Sequence, residues 1–166
     1  MAYGETAAGA GSIRDDFDFM LGDWDVDVTH YSEDGAASRQ LEGRWSAKAS
    51  LGGRIIEDHF IQKVDGVDDA AAYSLRTYCE KTQRWEMLFL WAGQPATGLI
   101  GFVGNRVDNE MHLDLQQMGP DGMVILVRIR FFDITVDSFS WEDSMSRDNG
   151  VTWFPSLSLK LRRSAN

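Results

Sequence analysis

From residue 24 onward the chain alternates apolar and polar side chains with a period of two, in runs of seven to twelve residues set apart by turn signals. Successive side chains on a strand point to opposite faces, so this pattern calls for antiparallel β-structure rather than helix. In the run 24–31, Trp24, Val26 and Val28 alternate with Asp25, Asp27 and Thr29, ahead of the turn residues Glu33, Asp34 and Gly35. The run 39–51 sets Leu41, Trp45 and Ala47 against Glu42, Arg44 and Lys48, and Gly52-Gly53 supplies the positive φ of a hairpin. Further strands are expected at 54–63, 71–78, 84–91, 97–103, 111–118, 123–135, 138–145 and 152–161, with Gly, Pro, Asp and Asn at the joints between them. Only residues 12–21 suit a short helix, with Ser12 as its N-cap and Asp15 and Asp16 in the first turn.

Ten sequential strands on short turns leave two sheet edges to hide, and an up-and-down order hides them best by closing into a barrel. A two-sheet sandwich is the alternative. At 166 residues the chain suits one core, read as a single all-β domain over 13–166 behind a frayed tail over 1–12. The net charge of -10 repels phosphate backbones and anionic headgroups, which argues against nucleic acid and membrane surfaces as partners. Cys79 stands alone, so no internal disulfide or thiolate zinc cluster is available. The opening residues lack a basic start and an apolar stretch and do not read as a signal peptide, which makes the cytoplasm the expected compartment.

Two stretches carry a family likeness. Phe17-Asp18-Phe19-Met20-Leu21-Gly22-Asp23-Trp24-Asp25-Val26 resembles the F-x-F-x-x-G-x-W-x-V opening of a group of bacterial lipocalin-like domains, and Ser146-Arg147-Asp148-Asn149-Gly150-Val151-Thr152-Trp153 is similar to the S-x-D-G-G-x-T-W turn that closes them. Gly52-Gly53 before a strand bearing Glu57 is a looser third element. The resemblance implies a calycin-type barrel of about eight to ten strands and a small apolar ligand, with no shared reaction. Haem-binding relatives of this architecture carry G-x-W-x-G-x-G near the first strand. Here Trp24 is followed by Asp25-Val26-Asp27, so that glycine pattern fails, and no cofactor is expected.

Arg128 and Arg130 share one face of a strand whose other face, Ile125, Val127, Ile129 and Phe131, is apolar. Pointing inward they would orient a carboxylate or phenolate through bidentate bonds; pointing outward they are simply solvated. Glu57 and His59 pose the same question, because Ile55 and Ile61 share their face while Ile56 and Phe60 lie on the other. Two apart on a strand, a Glu and a His project side by side and suit acid–base chemistry, or form an ordinary surface pair. Tyr73 offers a phenolic hydroxyl. Trp45, Trp85, Trp91 and Trp141 either fill a core or stack a flat ligand. His30, His59 and His112 fall on separate strands with no spacing that suggests a metal site, and Gly101-Phe102-Val103-Gly104 reads as close strand packing or a bend.

Three functions fit these residues. The first is a binding module for a small hydrophobic or aromatic molecule with one anionic group, held by Trp45, Trp91, Trp141 and Arg128. The alternative is a cofactor-independent lyase, isomerase or cyclase acting on an aromatic or polyketide-like substrate. In it Glu57, His59 or Tyr73 moves a proton and Arg128 or Arg130 steadies the developing negative charge. The third is a structural or interaction protein whose rings fill the core. A second copy of the chain, as a homodimer, is a further candidate partner.

Overall fold

Each strand pairs antiparallel with its sequence neighbours, and the first pairs with the last. The structure, a computed structural model, describes residues 15–92, 100–119 and 121–165. Its strands are β1 (Gly22–Tyr31), β2 (Ala37–Ser50), β3 (Ile55–Val64), β4 (Val67–Cys79), β5 (Arg84–Ala92), β6 (Ile100–Val107), β7 (Glu110–Met118), β8 (Val124–Phe132), β9 (Ser138–Ser146) and β10 (Phe154–Arg163). They form one closed barrel rather than a two-sheet sandwich, and the β1–β10 ladder from Trp24↔Arg163 to His30↔Leu157 is the seam that removes both edges. The alternation sets the inner face: Trp24, Val26 and Val28 on β1, Phe139 and Trp141 on β9, and Leu157, Leu159 and Leu161 on β10 are all buried. No helix among the described residues is long and apolar enough to cross a membrane.

Where a short helix is expected, the described residues hold only a 3₁₀ turn, Asp18–Met20; Ser12, like the rest of the expected tail, lies outside the described residues. The turn's apolar residues pack into the end of the barrel. Phe17 and Met20 are fully buried, and Phe17 meets Trp85 and Phe131 edge-on at 4.9 and 5.4 Å. The Trp24 indole N–H donates to the Met20 carbonyl at 2.8 Å, and the Arg163 guanidinium lies 4.2 Å over the Trp24 ring while donating to the Leu21 carbonyl. Gly22 sits at φ +111, a conformation that favours glycine. The opening motif thus closes one end of the barrel.

The closing motif builds a turn. Asp148 Oδ1 accepts from the Ser146 hydroxyl and from the backbone N–H groups of Val151 and Thr152, while Asn149 and Gly150 take positive φ. Those bonds, led by the Thr152 N–H, hold the Asp148 carboxyl down to about 2.

At Gly104 the neighbouring strand leaves no room for a side chain. A Cβ there would lie 1.8 Å from the His112 carbonyl oxygen and 2.8 Å from the Leu113 Cα, both backbone atoms that cannot swing aside. At Gly101, in the same strand, the added Cβ would meet open space. Gly104→Ala is therefore expected to destabilise the fold by roughly 1–3 kcal/mol through overpacking, with Gly101→Ala nearly neutral. Urea unfolding of the two variants checks this, and equal midpoints would contradict it.

Candidate functional site

The strand register sends the most reactive-looking residues outward. Glu57, His59 and Tyr73 lie on the outer face of β3 and β4, where Tyr73 donates its hydroxyl to Glu57 and Lys48 sits 3.3 Å from the same carboxylate. The Tyr73 bond pulls Glu57 below the usual carboxylate range and pushes the phenol up. Arg128 and Arg130 also face out. Arg128 donates to Asp114 at 2.7 Å and lies 4.5 Å over the Trp153 ring; Arg130 makes two 3.0 Å bonds to Glu110 and lies 4.5 Å over Phe132. The Glu110 bonds raise Arg130 and lower Glu110, as a partnered surface ion pair does. These five residues therefore do not share an enclosed volume, because the inner positions of β3, β4 and β8 belong to their alternating neighbours. The histidines do not converge either: His30 points inward, His59 is exposed, and His112 pairs with Glu110 outside.

The tryptophans do point in. Trp45, Trp91 and Trp141 line a pocket with Phe60 and Phe89, whereas Trp85 belongs to the plugged end and donates to Asp16 at 3.0 Å. The polar wall of the pocket comes from Asp58, Ser74 and Arg76. Asp58 on β3 and Arg76 on β4 are only 2 % and 1 % exposed and form an ion pair. Arg76 is sandwiched 5.3 and 5.4 Å from the Phe17 and Phe131 rings. Burial pushes its guanidinium down to about 9, which leaves it charged at neutral pH. Two donors in this pocket, Trp45 Nε1 and Arg76 Nε, are buried and make no hydrogen bond among the described residues. About 20 Å³ of free space remains between the walls, within about 350 Å³ that includes the mouth. The smaller figure sets what fits without rearrangement, and it is on the scale of one water.

A second inward polar group stands in the row His30↔Leu157↔Asp143↔Ile129. His30 Nε2 lies 2.6 Å from Gln62 Oε1. Asp143 Oδ2 accepts from the Ser156 hydroxyl at 2.8 Å, and its buried Oδ1 has no partner among the described residues. Burial is the main reason the Asp143 carboxyl is raised, with the Glu142 charge adding to it and the Ser156 bond opposing it. A carboxyl raised on folding costs stability as pH climbs from its ordinary value of 3.8 through its folded value. Asp143→Asn should therefore gain stability over the parent chain across that rise and keep the gain at neutral pH, with the two converging below pH 3.8. Thermal melts at a series of pH values would show it, and a gap widening toward acid would contradict it.

Sequence reasoning missed Asp58, Arg76, Gln62 and Asp143. On β3 and β4 apolar residues occupy both faces, Ile55, Ile61 and Leu75 outside against Ile56, Phe60 and Ala72 inside, so the phase of alternation is ambiguous there. The unambiguous strands β9 and β10, propagated through the register, would have put Asp143 inside.

No family model and no curated protein matches this sequence. Among solved structures the chain is similar to Rv2717c from M. tuberculosis, at 15 % identity and a TM-score of 0.61, covering 93 % of this chain and 99 % of that one. A redesigned beta barrel matches at 13 % identity and a TM-score of 0.46, covering 89 % of this chain and 94 % of that one. At such identity the likeness to Rv2717c shows the fold, a closed antiparallel barrel.

Proposed function

We propose that the barrel binds a small, flat, uncharged aromatic molecule through a carbonyl or phenolic oxygen that accepts hydrogen bonds from Trp45 Nε1 and Arg76 Nε. The observation that carries this reading is the pair of buried donors, both without partners, on the walls of one ring-lined pocket. Each costs roughly 1–3 kcal/mol while unsatisfied, and an acceptor oxygen recovers that cost. The expectation of an anionic ligand gives way to a neutral one, because Asp58 already neutralises Arg76 and a further carboxylate would face it. Phe89 and Trp91, half-buried rings 5.5 Å apart on β5, add two further aromatic faces to the pocket wall.

Calorimetric titration with acetophenone and with benzoate tests the reading. Acetophenone should bind more tightly than benzoate, and Trp45→Phe, which keeps a ring and removes the N–H, should weaken it about tenfold. Absence of acetophenone binding, or an unchanged affinity in Trp45→Phe, would overturn it. The small free volume favours a second reading, a filled barrel whose donors are met by one ordered water. That reading predicts no binding of any aryl ketone.

A further inference from the structure

We infer that Asp143, held by Ser156 beside that pocket and between two of its lining residues, is a second recognition point, so that the ligand carries a hydroxyl or amino group at the end remote from its acceptor oxygen. The inference rests on the aryl-carbonyl reading above and adds the chemistry of the other end. Asp143 lies between Trp141 and Met145 on the inner face of β9, and its cross-strand partners Leu157 and Ile129 both line the pocket. One carboxylate oxygen is occupied by the Ser156 hydroxyl, and the irregular register between Pro155 and Leu157 falls where Ser156 stands. The other oxygen is buried and unmatched. A buried carboxyl oxygen needs a donor, just as the two unmatched N–H groups need an acceptor.

Arg76 lies over Phe131, while Asp143 is the cross-strand partner of Ile129, and those two β8 residues stand roughly 7 Å apart along the strand. Donors at one end and an acceptor at the other suit a para-substituted aromatic whose carbonyl and hydroxyl point in opposite directions. Burial raises the Asp143 carboxyl. A group held in that way gains more from a ligand donor than an exposed carboxylate already bonded to water.

Calorimetry with acetophenone, 4-hydroxyacetophenone and 4-methoxyacetophenone separates the two claims. The parent protein should bind the hydroxy compound about tenfold more tightly than acetophenone, and the methoxy compound, which has no proton to donate, no more tightly than acetophenone. In Asp143→Leu the preference for the hydroxy compound should vanish; Ser156→Ala, a milder change, should reduce it. Acetophenone binding with no hydroxyl preference would overturn this inference and leave the aryl-carbonyl reading standing. A preference that survives in Asp143→Leu would also overturn it. Failure of all three compounds to bind would overturn both.

Discussion

Asp58→Leu should destabilise the protein by about 3–5 kcal/mol, because it strands the Arg76 guanidinium inside the barrel with no counter-charge. The charge has no escape route: Arg76 is 1 % exposed and is held between the Phe17 and Phe131 rings. Adding Arg76→Met to that variant should recover most of the loss, since apolar residues of similar volume need no desolvation. The double-mutant cycle, read by urea unfolding, distinguishes a dry ion pair from a wet one. If the single change costs less than about 1 kcal/mol, water reaches the pair and its burial is not what the side-chain exposure indicates.

Trp24→Ala should cost a comparable amount, about 3–5 kcal/mol, by opening a cavity at the plugged end. Three separate interactions converge on that ring: the bond to the Met20 carbonyl, the Arg163 guanidinium above it, and Phe139 edge-on at 4.8 Å. The fall in melting temperature should be on the order of 10 °C for a chain of this size. Trp24→Phe keeps the packing and loses the indole N–H, which leaves the Met20 carbonyl bare and costs about 1 kcal/mol. Equal losses in the two variants would show that the hydrogen bond, rather than ring volume, holds the plug.

The barrel was legible because β1, β9 and β10 alternate cleanly; Phe139 and Trp141 against Ser140 and Glu142 leave one inner face only. Turn chemistry was legible for the same kind of reason, since the positive φ at Asn149 and Gly150 is local. The pocket's chemistry was not. His59 and Asp58 are adjacent in sequence, and which one lies inside depends on register carried around the sheet rather than on any short pattern. Arg76 is a sharper case: a charged residue on a strand suggests solvent, and only its diagonal partner Asp58 one strand over makes burial tolerable. Asp143 is the exception, because it stands in phase with Phe139 and Trp141 on β9, where the alternation is clean.

The β1–β10 seam carries a consequence for how the molecule is made. Every other ladder joins strands adjacent in sequence, so nine hairpins can form as soon as their residues emerge from the ribosome. The seam joins residues more than 120 positions apart, as Trp24↔Arg163 and His30↔Leu157 show. During synthesis β1 is therefore an open edge until the last strand is released, with only its row of aspartates, Asp23, Asp25 and Asp27, to discourage pairing with another nascent chain.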